Sequence, residues 1–277
     1  MKNLPLLLCL ILPYFVLAQQ RLSGRLTDAK DGTPLAYVNV GVLGAGIGTV
    51  SDPDGRFSLR IPRGRDGQVK LSLLGYRSKT FTVRELADRL GKKESISLQP
   101  QVYDLSEVVV VPSFTKTKTI GNPARQTRLT DGFDGNALGR EGGVIVKLKQ
   151  RYRPAKVLKF QLFVNNSSYE EIKFRINFYS VKDKYPDRPL PQESVIVTSK
   201  VRNGILEADL EDYGIVVTDD FALTLEWIED FGPGDLQFCF RRFGPRCVFR
   251  YASQDDWESY SGLLAPSPQM NVTVGYN

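Results

Sequence analysis

Short runs in which apolar and polar residues alternate recur along the chain after residue 18, each ended by glycine, proline, aspartate or asparagine. Phe57, Leu59 and Ile61 alternate with Ser58 and Arg60, and Phe174, Ile176 and Phe178 with Arg175 and Asn177. A period of two puts the apolar members on one face of a strand. Only residues 83–90 suggest a helix, with Leu86 and Leu90 on one side. The 15 Phe and 12 Tyr add β-preference. A length of 277 residues suits two domains. The expected fold class is all-β, with a smaller β-sandwich followed by a larger, jelly-roll-like one.

Residues 1–18 read as a signal peptide. Lys2 supplies the positive start, the stretch from Leu4 to Leu17 is almost wholly apolar, and Val16 and Ala18 place small residues before Gln19. The apolar run is shorter than the roughly 20 residues of a spanning helix. Leu6, Leu7 and Leu8 before Cys9 are too bulky for a lipoprotein signal. The expectation is export to the periplasm, the outer membrane or the cell surface.

Residues 19–100 read as the first domain, with turn chemistry at Asp31-Gly32 and Pro34 and a hairpin signal at Ser51 to Gly55. Gly44 to Gly48 lacks both the spacing and the following helix of a phosphate cradle, so it reads as a turn. Asp52 and Asp54 lack the ligand series of a calcium loop. Several segments together resemble the carboxypeptidase-like regulatory domain: Ser23 to Asp28, Gly32 to Leu35, Val38-Asn39-Val40, Gly48-Thr49 through Asp54 to Phe57, and Leu74-Gly75-Tyr76 with Arg77 and Lys79. The resemblance implies a transthyretin-like sandwich without catalytic residues, of the kind that precedes other modules in Gram-negative envelope proteins, TonB-dependent receptors among them.

Residues 101–120 read as a linker. Within it, Asp104 to Val111 is similar to the stretch that follows this domain in many TonB-dependent receptors. Leu105, Val108, Val109, Val110 and Val111 form an apolar, strand-like segment. It would pair with one of the protein's own sheets or add to a partner's sheet edge. Lys116, Lys118, Arg125 and Arg128 follow without an acid between them, as a solvated linker or as a stretch able to rest peripherally on an anionic outer-membrane surface. Residues 121–277 read as the second sandwich, too short for a receptor barrel. Phe174 to Asp187, Asp209-Leu210 and Phe221 to Trp227 resemble jelly-roll accessory domains of secreted bacterial proteins.

The sequence contains no histidine, which excludes Ser-His-Asp and Cys-His catalysis and histidine-ligated metals. No cofactor or metal site is expected, and no zinc-finger spacing or basic helix points to nucleic acid. Asp255, Asp256, Trp257 and Tyr260 form a candidate sugar-binding edge, in which aromatic faces stack on rings and carboxylates accept hydroxyl hydrogen bonds. The alternative is a surface loop whose Trp257 packs inward. Glu226 and Glu229 flank Trp227, but their odd spacing sets them on opposite faces of a strand. Cys239 and Cys247, in a segment read as a hairpin, are either bridged across its end or two buried free thiols. The functional expectation is a non-catalytic, exported binding or structural module of the bacterial envelope that recognises a polysaccharide or a protein. The alternatives are a glycan-active hydrolase using acidic residues and an accessory component of a TonB-linked uptake system.

Overall fold

A computed structural model describes residues 19–92, 95–101, 114–134, 138–190, 194–262 and 264–277. The signal-peptide reading of residues 1–18 and the strand-like Leu105 and Val108 to Val111 lie outside the described residues. The protein is all-β, in two sandwiches.

The first sandwich contains β1 (Gln19–Asp28), β2 (Asn39–Val42), β3 (Ile47–Val50), β4 (Arg56–Pro62), β5 (Gln68–Ser72), β6 (Tyr76–Arg77), β7 (Lys79–Thr82), α1 (Val83–Gly91) and β8 (Ile96–Pro100). One sheet runs β4-β1-β8-β6 and the other β3-β2-β5-β7. Leu26, Val38, Leu59, Ile61, Leu71, Leu86 and Leu98 fill the space between them. The alternation around Phe81 and Val83 stops being strand at Thr82, where a capping box takes over. The Thr82 hydroxyl accepts from the Glu85 amide at 3.1 Å, and the Glu85 carboxylate accepts from the Thr82 amide at 2.8 Å. The turn at Ser51 to Gly55 forms, with the Arg56 amide donating to Asp52 Oδ1 at 2.7 Å. It is not a hairpin within one sheet, because it carries the chain from β3 in one sheet to β4 in the other.

The second sandwich contains β9 (Lys116–Gly121), β10 (Leu129–Asp134), β11 (Glu141–Val146), β12 (Ala155–Ser167), β13 (Ile172–Lys182), β14 (Tyr185–Pro189), β15 (Val195–Ser199), β16 (Gly204–Asp209), β17 (Val216–Val217), β18 (Phe221–Trp227), β19 (Asp235–Arg242), β20 (Cys247–Arg250), β21 (Pro266–Pro268) and β22 (Met270–Tyr276). One sheet runs β10-β19-β12-β22-β9, with β16, β17 and β21 attached, and the other runs β14-β13-β18-β11-β20, with β15 attached. Successive strands cross repeatedly between the sheets, and Phe160, Phe174, Phe178, Phe221 and Trp227 fill the layer between them.

Three local expectations change. The basic residues Lys116 and Lys118, within the stretch read as linker, lie on β9, which pairs along β22 from Gly121↔Asn271 to Lys116↔Tyr276. Pro186 and Pro189, residues that on their own favour a loop, sit on β14 at the edge of its sheet, where proline's missing donor breaks no ladder. The segment from Cys239 to Tyr251 is not a hairpin, since β19 and β20 belong to opposite sheets.

The Phe174 ring lies 5.4 Å from Trp227 and 6.1 Å from Phe238, between the sheets. Phe174→Ala should cost about 3–5 kcal/mol of unfolding free energy in denaturant titration, whereas Thr82→Ala should cost about 1 kcal/mol. The reverse ranking would contradict this packing.

Candidate functional site

The outward face of the six-stranded sheet should be polar and wet, because its inward face already supplies the core. Instead it carries a buried row of charges. Register aligns Arg175 on β13 with Glu226 on β18, Glu226 with Glu141 on β11, and Glu141 with Arg250 on β20. Both glutamates are 0 % exposed. Arg250 Nε donates to Glu141 Oε2 at 2.9 Å, and Arg175 Nη1 donates to Glu226 Oε2 at 3.3 Å. Asn177 Nδ2 donates to both acids, at 2.9 and 3.0 Å, and so separates like charges. The Thr224 and Tyr179 hydroxyls also donate to Glu141. Burial, followed by the nearby Glu141 charge, raises the Glu226 carboxyl above its usual range against the pull of Arg175. Burial also works against the Arg250 cation, but Glu141, Tyr179 and Glu226 outweigh it and hold the guanidinium protonated.

The first sandwich and residues 252–257 cover this row. Arg175 donates to the Tyr37 carbonyl, and the Tyr37 hydroxyl donates to Glu229 at 2.9 Å beside Lys173. Trp257 lies over the Arg250 guanidinium, 4.8 Å from ring centroid to carbon, and edge-on to Tyr179 at 5.7 Å. The Phe249 and Glu258 backbones exchange hydrogen bonds of 3.0 and 2.8 Å, closing the loop between them. Its tip enters the glycine-rich turn of the first sandwich. The Gly44 amide donates to the Gln254 carbonyl, the Gly46 amide to Asp255 Oδ1, and the Ser253 hydroxyl to Asn39 Oδ1. A Cβ on Gly41 would lie 1.9 Å from the Ser253 carbonyl oxygen, so this approach admits only glycine. Tyr37 and Gln254, facing each other's domains, both hold positive φ, at 58° and 67°. Such backbone costs on the order of 1–3 kcal/mol per residue, which the docked contacts must offset.

On the other flank of the same loop, edge strands β10 and β20 leave a groove between the two sheets. Phe249, Tyr251 and Tyr260 line its mouth, and Phe133, Phe238, Phe240 and Met270 its floor. The Tyr260 ring lies 4.8 Å from Phe249, and Phe249 lies 5.5 Å from Tyr251. The Tyr260 hydroxyl donates to Asp131 Oδ2 at 3.1 Å, joining the two sheets, and the Arg140 guanidinium lies 5.4 Å from the Tyr251 ring. The enclosed volume is about 60 Å³, far below the roughly 300–1,000 Å³ of small-molecule sites. The groove therefore offers a stacking surface and cannot engulf a cofactor.

The four residues of the candidate sugar-binding edge are thus distributed along one loop. Asp255 and Asp256 face the Gly44–Gly46 turn, Trp257 covers the ion row, and Tyr260 alone reaches the groove. Phe249, Tyr251, Asp131 and Arg140 were not singled out from the sequence. The run Phe249-Arg250-Tyr251 held a signal, since it alternates aromatic and cationic residues. Glu226 and Glu229 do not face each other across open space, for each is taken by a cation of its own. Among the described residues no three acids, cysteines or histidines are grouped to hold a metal, and no helix is long and apolar enough to cross a membrane. Of the two states open to the cysteines, the structure shows free thiols. Cys247 points into the core, whereas Cys239 meets Thr127 and Asn165 on the opposite face of its sheet, so the sulfurs point apart.

Residues 22–110 match the family model described as CarboxypepD_reg-like domain, the family that the turn and strand residues of the first sandwich resemble. TonB-dependent receptor P3 of Formosa agariphila is 29% identical over 120 residues, which cover 43% of this chain and 11% of that receptor. The chain therefore spans about a tenth of the receptor it matches. Among solved structures, tripeptidyl peptidase 2 overlays 84% of this chain and 22% of its own with a TM-score of 0.26 at 10% identity. An infectious bursal disease virus structure overlays 93% and 74% with a TM-score of 0.17, also at 10% identity. Neither overlay is close enough to support an argument.

Three measurements test this geometry. Arg250→Met leaves Glu141 buried without its cation and should cost about 3–5 kcal/mol in denaturant unfolding; a cost under about 1 kcal/mol would mark the row as effectively solvated. Gly41→Ala should speed hydrogen exchange at Ser253 to Asp256 while both sandwiches stay folded, and unchanged exchange there would contradict the docked loop. Burial, with Asp131 nearby, pushes the Cys247 thiol up to about 12. Cys247 should therefore resist alkylation at neutral pH until the protein unfolds, and mass spectrometry should find no linked Cys239–Cys247 peptide.

Proposed function

We propose that the protein is a non-catalytic binding module of the bacterial envelope whose recognition surface is the groove of Phe249, Tyr251 and Tyr260, and that its ligand is a polysaccharide. The carrying observation is the set of aromatic rings at the mouth of that groove, half-exposed and braced from behind. Aromatic faces pack against the C–H faces of sugar rings, and Asp131 and Arg140 flank them with an acceptor and donors for hydroxyls. A shallow surface suits a long polymer better than a small metabolite. The matching family model over residues 22–110 and the partial similarity to a TonB-dependent receptor support an envelope role. They also fit an accessory part in TonB-linked uptake. Export by cleavage after Ala18 belongs to the same proposal, and Gln19 is the first residue of β1.

Catalysis is not part of this reading. The acids that a hydrolase would need, Glu226 and Glu229, are spent on Arg175 and on Lys173 with Tyr37.

The test is a glycan array followed by titration calorimetry with residues 19–277. Tyr251→Ala and Tyr260→Ala should each weaken binding by at least about 1–2 kcal/mol. A Cβ at Gly142 would meet Phe249 Cβ at 3.7 Å and the Val248 carbonyl oxygen at 3.8 Å, both ordinary contacts, so Gly142→Val should fill the groove and weaken binding without loss of stability. No polysaccharide should be turned over. Binding unaffected by all three substitutions would reject the groove, and turnover lost in Glu226→Gln or Glu229→Gln would establish the hydrolase instead.

A further inference from the structure

The exposed face of the β1–β4 ladder carries four arginines and no acid. Register sets Arg21 opposite Arg60, Ser23 opposite Ser58 and Arg25 opposite Arg56. Leu22, Leu26, Phe57, Leu59 and Ile61, on the alternate positions, point into the core. Like charges directly opposite each other on a ladder oppose folding, and here the arrangement occurs twice on one strand pair. The second pair has local relief, since Arg25 Nε donates to the Asp54 carbonyl at 3.0 Å and Arg56 pairs with the Asp54 carboxylate. The side chains of Arg21 and Arg60 make no hydrogen bond or ion pair with any described residue.

This face is not flat. Arg21, Arg56, Ser58 and Arg60 wall a cleft of about 650 Å³ between the two sandwiches, within the range that holds small ligands. Three acids also line it, and each is engaged. Glu229 is held by Lys173 and Tyr37, Asp52 accepts from the Arg56 amide, and Asp230 has a partner of its own. The guanidinium groups of Arg21 and Arg60 remain without an ion pair, two cations beside the single charge of Asp52, whose own partner is a neutral amide.

We propose that this cleft binds an acidic glycan, whose carboxylate or sulfate groups pair with Arg21 and Arg60 while its hydroxyls meet Ser58. A guanidinium presents parallel donors that match the two oxygens of such groups. The glycan is favoured over an anionic membrane because a flat bilayer cannot enter a cleft between two domains, whereas a chain of rings can. It is favoured over a nucleic acid because the ladder's outer face presents no aromatic platform on which bases would stack. The site is separate from the aromatic groove and stands or falls independently of it.

The experiment is titration calorimetry of residues 19–277 with polygalacturonate, dextran sulfate and neutral dextran, with sedimentation against phosphatidylglycerol vesicles in parallel. At least one acidic polymer should bind, with affinity falling as salt rises. Arg21→Gln with Arg60→Gln should weaken that binding about ten- to a hundredfold. Arg188→Gln, which removes an exposed cation outside the cleft's lining, should leave it unchanged. Because the double substitution removes a like-charge pair, its melting temperature should equal or exceed that of the parent, a result that a purely structural role for these arginines does not give. The proposal is overturned by acidic polymers that fail to bind, by equal binding in the double variant, by a destabilised double variant, or by arginine-dependent binding to vesicles alone.

Discussion

Four ionised side chains lie in line across the outer face of one sheet, and the rest of the architecture follows from the need to keep them dry. Arg175, Glu226, Glu141 and Arg250 would be unremarkable in water, where such pairs contribute about 0–1 kcal/mol. Buried, each ion carries a desolvation cost of several kcal/mol, so the row is tolerable only with its partners in place. Asn177, Thr224 and Tyr179 complete the shell, although Glu226 Oε1 and Arg175 Nε still make no hydrogen bond. A row of this kind contributes little net stability compared with apolar packing. It specifies instead what must lie above it, since a lid that misses leaves charges without water and without partners.

That lid comes from two places distant in sequence. Tyr37 reaches down from the first sandwich, and Trp257 folds back from the loop after β20. The loop is gripped at its base by the Phe249–Glu258 backbone pair and at its tip by the glycines of the first sandwich. Its two faces do different work. One seals the ion row, and the other holds Tyr251 and Tyr260 at the mouth of the groove. The first sandwich thus acts on the proposed binding surface without touching it, by removing freedom from the loop that carries it.

Much of the fold is legible in the residues. The period of two marks most strands correctly, and Leu86 and Leu90 reveal the helix, because both signals depend only on neighbours in sequence. The ion row was not legible. Arg175 and Asn177 read as the solvated side of β13, since nothing local says that another domain covers them. A hint was present in Phe221 to Trp227, where Thr224 and Glu226 interrupt an otherwise apolar strand that is buried throughout. Gly44 and Gly46 read correctly as a turn, whereas Gly48 lies on β3 opposite Gly41, and the reason for these glycines, the docking of a loop some 200 residues later, depends on tertiary approach. Asp255, Asp256, Trp257 and Tyr260 look like one cluster in sequence. The loop separates them because successive side chains on a tight excursion point in different directions.

The central claim is that the first sandwich is the cover of the ion row. It is tested most directly by calorimetry of residues 19–277 beside residues 114–277 alone. The account predicts one cooperative transition for the longer chain and a clearly lower melting temperature for the shorter, whose row is exposed. A second sandwich that melts at the same temperature with and without the first would contradict it.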